Sequence, residues 1–196
     1  MALTLSKNQT ISLEKTSGSG GLTAISLGLG WDPEKIGFLG KLMGNTGEID
    51  LDASCLLFDA NFKLVDLVWF KQLQSRDGSI KHSGDNRTGD GDGDDETINV
   101  DLQHLPAMVK YLVFTVNSFT GQNFEKIANA YCRIVNTSNR TELARFNLSE
   151  KGRHTGVVMA SLVRQAGGWE FKAIGQVTNG RTADDLSNLA IQALRS

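Results

Sequence analysis

Acidic residues are concentrated in one short stretch of this 196-residue chain. Between Gly84 and Glu96, six of the thirteen residues carry carboxylates, and Arg87 alone offsets them. Two carboxylates about 4 Å apart repel each other by roughly 4 kcal/mol at an effective dielectric near 20, so a compact loop of this composition needs a counter-charge. Oxygen ligands on a flexible, glycine-interleaved backbone suit Ca2+. The stretch therefore predicts a calcium site, and the alternative is a solvated acidic loop.

A pair of carboxylates outside the acidic stretch also supports the metal interpretation. If Asp50-Leu51-Asp52 lies on a strand, the two aspartates point to one face and Leu51 points to the core. Aspartates are poor strand formers, and this pair is repulsive unless a positive charge lies between its members. The pair and the loop together could supply the roughly six to eight oxygens that Ca2+ takes. The predicted metal ligands are Asp50, Asp52, Asp85, Asn86, Gly89, Asp92, Asp94, Asp95 and Glu96.

The acidic loop does not match the EF-hand. Counted from Asp90, position 6 is Asp95 where the motif has glycine, and position 12 is Asp101 where it has glutamate. The three histidines show no zinc-ligand spacing, and no nucleophile with a neighbouring base stands out. Calcium held among loops at one end of a β-sandwich is the better geometric hypothesis. A metal-dependent phosphoesterase is a further, enzymatic alternative.

Composition indicates a soluble globular protein, with 40% hydrophobic and 21% charged residues. No basic stripe interleaved with aromatic residues is present, so a nucleic-acid partner is not expected. The sequence shows neither an apolar run of membrane-spanning length nor a signal-peptide core. Cys55 and Cys132 lie in apolar runs and are expected to be buried thiols in a reducing compartment, the cytoplasm.

Short runs rich in strand-forming residues dominate the sequence. They are bounded by Gly, Asn, Asp or Ser and predict an all-β fold, a two-sheet β-sandwich. Asp77-Gly78, Asn136–Arg140 and Gly167-Gly168 are predicted turns between strands. The predicted strands are Thr10–Lys15, Leu22–Leu29, Asp50–Phe58, Phe62–Phe70, Gln72–Ser75, Ser79–His82, Tyr111–Val116, Tyr131–Val135, Glu142–Asn147, Val157–Val163 and Trp169–Val177.

Few helices are predicted, and all are peripheral. Asn123–Ala130 could form two turns, and Thr182 is a candidate N-cap for a C-terminal amphipathic helix. We expect a sandwich over residues 1–178 and a helical tail over 179–196 that packs on it or extends from it. The glycine-punctuated, apolar segment Lys35–Gly47 is predicted to be a flap or a contact patch.

Several motifs together resemble the TerD family of tellurium-resistance and stress-response proteins. The resemblance runs from about Leu3 to Gln176, and the segments Trp69-Phe70 and Asn117–Phe124 look closer to its TerZ branch. The segment Ile36–Gly47 is long and apolar for the family, and the tail Gly180–Ser196 falls outside the resemblance. The motifs are Leu27–Asp32, Asp50–Ser54, His82–Gly89 running into Gly93–Glu96, Gly121–Phe124, Arg133–Asn136 and Gly175-Gln176.

The resemblance implies a cytoplasmic, bacterial, calcium-binding β-sandwich without an established enzymatic activity. It also implies that the protein acts with other Ter-family proteins, including a membrane-bound TerC-type partner. We therefore expect a module in tellurite resistance or stress response in which Ca2+ orders a surface for a protein partner. The alternative is a calcium-dependent module that binds anionic lipid or glycan, which the apolar loop Ile36–Met43 supports.

Overall fold

A computed structural model shows two six-stranded sheets packed face to face, which confirms the predicted two-sheet, all-β fold. It describes residues 2–17, 22–33, 50–84, 93–118, 120–148 and 152–196. Sheet 1 has the strand order β1-β10-β9-β3-β7-β6, and sheet 2 has the order β2-β12-β11-β8-β4-β5. The strands are β1 Leu3–Leu5, β2 Thr10–Ser12, β3 Ala24–Pro33, β4 Asp52–Phe58, β5 Leu64–Val68, β6 Ile80–His82, β7 Glu96–Asp101, β8 Tyr111–Asn117, β9 Ile127–Asn136, β10 Thr141–Leu148, β11 Gly156–Gln165 and β12 Gly168–Thr178.

Alternation along the strands builds the main core between the sheets. In β3, Ile25, Leu27 and Leu29 face inward and are at most 1% exposed. Strand β4 is buried on both faces. Its Cys55 joins the main core, whereas Leu56 joins a second apolar cluster on the outer side of sheet 2. That outer cluster requires a cover, because an apolar sheet face left in water would forfeit its burial free energy.

The C-terminal helix supplies the cover and confirms the prediction of a helix in the tail. Helix α2, Ala183–Arg195, packs Ala190 and Ala193 into the outer cluster. At its start, Thr182 and Asp185 form a capping box, in which each side chain bonds the backbone N–H of the other residue. The tail therefore packs on the sandwich and does not extend away from it.

The helix predicted over Asn123–Ala130 is wrong. A 3-10 helix spans only Phe124–Lys126, and β9 begins at Ile127. Residues 127–136 pair with β3 along its length, so the long ladder of backbone hydrogen bonds outweighs the local helical spacing.

The predicted strand Gln72–Ser75 is wrong, because the segment forms only isolated bridges through Gln72 and Gln74. The other differences concern strand bounds and two strands that were not predicted. The strand predicted at Thr10–Lys15 ends at Ser12, which lies directly before helix α1, Leu13–Ser17, and accepts a hydrogen bond from the backbone of Lys15. Two strands were not predicted at all: the short β1, and β7, whose first residue belongs to the acidic stretch. Strand β4 begins at Asp52, so Asp50 precedes the strand instead of lying on it.

Candidate metal centre

The acidic stretch connects β6 to β7 at one end of the sandwich. β6 ends at His82, β7 begins at Glu96, and β4 of the opposite sheet begins at Asp52. The backbone N–H of Ala53 donates to Oε2 of Glu96 at 2.7 Å, so β4 and β7 begin against each other. We call this end, where β4 and β7 begin, the acidic pole.

Glu96 and His82 form a fully buried pair that joins the two sheets. Nε2 of His82 lies 3.1 Å from the carbonyl oxygen of Ala53 and 3.4 Å from Oε2 of Glu96. Burial alone would lower the pKa of His82, but the hydrogen bond and charge of Glu96 raise it overall. The N–H of Gly84 donates to Nδ1 at 3.0 Å, which places the proton of the neutral ring on Nε2 in this arrangement. The pair therefore fixes both ends of the acidic stretch.

The carboxylate of Asp94 lies on the outer face of sheet 1. It accepts hydrogen bonds from Nε and Nη2 of Arg133 at 2.8 to 3.1 Å, a two-pronged pairing. Gly28 makes this contact possible, because a Cβ there would lie 2.0 Å from Oδ2 of Asp94. The absence of a side chain on the strand thus creates the seat for the loop.

A wider ionic network surrounds Arg133. Its Nη1 donates to Glu142 at 3.0 Å, and Arg145 donates to the same carboxylate from the other side. The guanidinium of Arg145 lies 4.2 Å from the centre of the Tyr131 ring, and the Tyr131 hydroxyl donates to Oδ1 of Asp94. Burial and the charge of Asp94 raise the pKa of Tyr131 to about 12, so the phenol stays protonated. The negative charge at Asp94 is balanced by the protein itself.

Asp95 is held by the end of β3. Its N–H donates to the carbonyl of Leu29 at 2.8 Å, and its Oδ2 accepts from the N–H of Trp31 at 2.8 Å. The side chain thereby occupies the position that a backbone carbonyl would have if β7 began earlier. Asp95 therefore continues the hydrogen bonding between β3 and β7 by one position beyond the end of β7.

Asp50 and Asp52 lie on the sheet 2 side of the pole with a set of amide oxygens. The N–H of Asp50 donates to Oε1 of Gln122, and Asp52, which is 5% exposed, lies opposite Asn117 on β8. Nδ2 of Asn117 donates to the carbonyl of Arg181, which fixes the orientation of the amide. Oδ1 of Asn117 and Oδ1 of Asn123 are buried and accept no hydrogen bond from the described residues. Carboxylates and such amide oxygens are suitable ligands for a hard cation.

Five of the nine predicted ligands lie within the described ranges. Asp50, Asp52, Asp94, Asp95 and Glu96 all lie at the acidic pole. Within the described ranges, no group of three or more His, Cys, Asp or Glu side chains is arranged to hold a metal ion. The segment Lys35–Gly47 and the other predicted ligands lie outside the described residues. Those ligands are Asp85, Asn86, Gly89 and Asp92.

Comparison with known proteins identifies the family. The TerD domain matches residues 1–191, which includes the acidic stretch and every strand. The chain belongs to the TerD family. The match continues to residue 191, so the TerD domain includes most of α2, whereas the sequence motifs indicated an end near Gln176.

Relatives of this TerD-family chain are similar to it over nearly its whole length. Tellurium resistance protein TerZ of Serratia marcescens is 51% identical over 193 residues, which cover 98% of each chain. Stress response protein SCP2 of Bacillus subtilis is 42% identical and covers 95% of this chain and 98% of that protein. A crystal structure of a homologue of telluride resistance protein (TerD) from Streptomyces coelicolor A3(2) has a TM-score of 0.67 at 22% identity, covering 85% of this chain and 96% of that one. That structure shows the same fold.

Sequence reasoning missed most of the groups that hold this TerD-family pole together. Arg133, Glu142 and Arg145 form the outer network, and Asn117 supplies a buried oxygen. One signal was present in the sequence. Gly28 and Gly30 lie two residues apart in a strand, which indicates close approach on one face. The structure adds that Arg133 pairs with Gly28 and Tyr131 pairs with Gly30, so both side chains lie over those glycines.

No helix in the described ranges is long and apolar enough to cross a bilayer. This agrees with the sequence, which offers no apolar run of that length.

Proposed function

We propose that this TerD-family protein is a non-enzymatic calcium-binding module of tellurium resistance or stress response. The full-length similarity to a tellurium resistance protein and to a stress response protein supports the process. The observation that carries the calcium assignment is the pair of buried amide oxygens, Oδ1 of Asn117 and Oδ1 of Asn123. A buried acceptor without a donor costs free energy, and a cation removes that cost.

In this proposal, the sheet 2 side supplies the fixed part of the site. Asp52 and Asn117 are directly opposed on neighbouring strands, which places their Cβ atoms about 4.5–5.5 Å apart on one face. A Ca2+ ion bridges oxygens separated in this way at about 2.3–2.6 Å from each. Asp50 lies two residues before Asp52, and it adds a second carboxylate. Asp52 and Asn117 are presented by two neighbouring strands, so they do not need the loop in order to be in place.

The loop supplies the remaining ligands, and its far end is already anchored. We assign Asp94, Asp95 and Glu96 to anchoring, because Arg133, the end of β3 and the start of β4 occupy their carboxylates. Asp85, Asn86, Gly89 and Asp92 then complete the coordination from the loop. Binding of Ca2+ therefore orders the loop between His82 and Asp94 over the pole.

The ordered pole is the surface offered to a protein partner. Other Ter-family proteins in the cytoplasm, including a membrane-bound TerC-type protein, are the partners we propose. The protein itself carries out no reaction in this scheme. Its output is a change in the shape and charge of one end of the sandwich when calcium is present.

Isothermal titration calorimetry of calcium binding tests the site. Asp50→Asn and Asp52→Asn each remove a negative charge from the ion and are expected to weaken binding by at least about tenfold. Asn117→Leu removes the amide oxygen and is expected to weaken binding while all carboxylates remain. Asp59→Asn is the matched control, because Asp59 lies just past the other end of β4 and bonds its own turn.

Calcium should also raise the melting temperature, by an amount that corresponds to about 2.7 kcal/mol at one hundred times the dissociation constant. Magnesium should do so much less. If the chelator-treated and calcium-loaded proteins melt at the same temperature and calorimetry shows no binding, the proposal is rejected. If calcium binds equally well to the Asp52→Asn and Asn117→Leu variants, the ion lies elsewhere.

One observation favours a second candidate, calcium-dependent binding to anionic lipid. Val68 pairs with Cys55, so the tight turn Trp69–Gln72 lies beside the start of β4, at the acidic pole. Trp69 and Phe70 pack edge to face, and the ammonium group of Lys71 lies 5.2 Å from the Trp69 ring. Aromatic rings beside a lysine are typical of side chains at a membrane interface.

Co-sedimentation with vesicles separates the two candidates. Phosphatidylserine vesicles should pull down the wild type with calcium and release it with chelator if lipid is the target. Phe70→Ser should then lose binding. Met108→Ser should not, because Met108 is a 59% exposed apolar residue of the segment between β7 and β8, away from this turn. Absence of calcium-dependent sedimentation would leave the protein partner as the target.

A further inference from the structure

A second candidate site lies on sheet 1, at the end opposite the acidic pole. The six-residue strand β7 begins at the pole with Glu96 and ends with Asp101, where a cleft of about 210 Å3 opens. Strands β3, β6 and β7 and the turn after β9 form its walls. The residues that bear on its chemistry are Ala24, Ser79, Lys81, Asn99, Asp101 and Thr137. The cleft is independent of the metal centre, because none of these residues belongs to it.

Small and polar residues shape the cleft. Ala24 pairs with Asp101 across β3 and β7, and its single methyl group leaves a depression in the outer face of the sheet. Lys81 and Asn99 are directly opposed on β6 and β7, so their side chains rise side by side. The depression is therefore lined by one ammonium group and one amide.

Ser79 provides the observation that indicates a ligand. This residue lines the cleft and is 4% exposed, and its Oγ has no hydrogen-bond partner among the described residues. Its carbonyl accepts from the N–H of Asp101 at 2.8 Å, so the residue is held in place by the backbone. A buried hydroxyl without a partner is costly. Rotation of the Ser79 side chain to another staggered rotamer would turn Oγ into the cleft, where a bound hydroxyl or phosphate oxygen would satisfy it.

The two ends of the cleft differ in charge. The carboxylate of Asp101 accepts from Nδ1 of His104 at 2.8 Å and from two backbone N–H groups of its own turn. The hydrogen bond from His104 lowers the pKa of Asp101, so this end remains an acceptor. At the other end, Lys81 is exposed and forms no ion pair with the described residues. Lys81 and Asp101 are diagonal across the two strands, about 7–8 Å apart.

We propose that this cleft binds a small phosphorylated polyol of about hexose phosphate size. Lys81 holds the phosphate as a charge-assisted donor. Asn99, Ser79 and Thr137 pair with hydroxyl groups as donors or acceptors. Asp101 accepts from hydroxyl groups at the far end and repels a second phosphate there. Inorganic phosphate alone contacts only the Lys81 end of the cleft, and a neutral sugar contacts only the hydroxyl-binding groups and the Asp101 end.

Calorimetry with glucose 6-phosphate, glucose and inorganic phosphate tests the proposal. All titrations are done in the presence of chelator, so that the metal centre does not contribute. The wild type is expected to bind glucose 6-phosphate at least about tenfold more tightly than either glucose or inorganic phosphate, because only the full ligand uses both ends.

Two variants and a control locate the binding. Lys81→Gln should weaken the binding of glucose 6-phosphate by about tenfold and leave the weak binding of glucose unchanged. Ser79→Ala should weaken the binding of glucose 6-phosphate and of glucose. Lys63→Gln, which removes an exposed charge from the turn between β4 and β5, should bind like the wild type.

Three results would overturn the proposal. The first is that glucose 6-phosphate does not saturate the wild type up to roughly 10 mM. The second is that the Lys81→Gln variant binds glucose 6-phosphate as tightly as the wild type does. The third is that inorganic phosphate binds as tightly as glucose 6-phosphate. The last result would show a simple anion site without recognition of the polyol. None of these results bears on calcium binding at the acidic pole.

Discussion

Gly28 and Gly30 leave room on sheet 1 for side chains from other segments. A Cβ at Gly28 would collide with the carboxylate of Asp94, and one at Gly30 would lie 2.4 Å from the ring of Tyr131. The two glycines thus decide where the end of the acidic loop is seated. Each glycine acts through its missing side chain, so a substitution by alanine tests this role.

Gly28→Ala is expected to destabilise the protein by about 1–3 kcal/mol, because Asp94 must leave Arg133 or the strand must shift. Urea unfolding of the two proteins measures the difference. Gly167→Ala is the control, since a Cβ there meets no atom within 4 Å, and its effect should be within about 0.5 kcal/mol. An equal effect of the two substitutions would show that Asp94 is not seated on Gly28.

At this scale the sequence revealed the acidic residues but not their partners. Six carboxylates in thirteen residues are visible at once. The three that the structure describes, Asp94, Asp95 and Glu96, lie at the acidic pole. Arg133 lies 39 residues beyond Asp94, and no spacing rule connects them. Their contact depends on the order of β7, β3 and β9 in the sheet, which only long-range pairing establishes.

Helix α2 covers a sheet face that is only partly apolar. Beside Leu56 and Val113, the outer face of sheet 2 carries Ser54 and Thr115, which pair across β4 and β8. Both hydroxyls are buried and lack a hydrogen-bond partner among the described residues. The packing of α2 therefore includes an energetic cost that a fully apolar face would not have.

Thr115→Val is expected to raise the free energy of unfolding by up to about 1–2 kcal/mol, because it removes a buried hydroxyl and keeps the shape. Thr155→Val is the matched control. The Thr155 hydroxyl donates to the carbonyl of Gly180 at 3.0 Å, so its loss should destabilise. Chemical denaturation of both variants gives the signs. A loss of stability in Thr115→Val would mean that a bound water satisfies that hydroxyl.

The capping box of α2 predicts a pH dependence. Hydrogen bonds from the N–H of Arg181 and from Thr182 lower the pKa of Asp185 in the folded protein. A lowered pKa means that this stabilisation is present above the unfolded value of about 3.9 and is lost as the pH falls through the folded value. Asp185→Ala should therefore cost about 0.3–1 kcal/mol at neutral pH and almost nothing in strong acid.

Unfolding of the wild type and Asp185→Ala, compared at several pH values, isolates this contribution, because all other groups titrate in both proteins. Gln192→Ala, an exposed substitution later in the same helix, should show a difference that does not change with pH. A cost for Asp185→Ala that persists in strong acid would contradict the capping assignment.

Among the elements, amphipathic patterns with clear boundaries were predictable and ambiguous ones were not. Helix α2 has a cap and a regular apolar stripe, and its prediction is confirmed. The segment Asn123–Ala130 carries apolar residues at both helical and strand spacing, and its assignment depends on β3, which lies about a hundred residues earlier. Strand β7 was hidden because its first residue, Glu96, reads as part of the acidic loop.

Two buried thiols report on the sandwich as a whole. Cys55 belongs to sheet 2 and Cys132 to sheet 1, and both side chains face the common core with no exposed surface. Burial raises the pKa of Cys132 to about 12, and burial and then the charge of Asp66 raise that of Cys55 as well. Neither thiol is expected to ionise or to be reached in the folded protein.

Labelling of the native protein by a disulfide reagent at about pH 8 should therefore be slow and should follow a single rate for both cysteines. The sheets must separate before either thiol is reached, so the rate reports global opening. In concentrated denaturant both should react at once. Rapid labelling of one thiol in the native protein would show that one sheet opens without the other.

The first dozen residues of the chain are divided between the two sheets. β1 pairs in parallel with β10, and β2 pairs with the far end of the chain at β12. Both pairings join segments that lie more than a hundred residues apart in the sequence, so a long stretch of chain must be ordered before either can form. β1 and β2 become the edge strands of the finished sheets, and each is only three residues long. A partly folded molecule that has not yet added them presents the longer strands β10 and β12 as edges, which favours association with other chains.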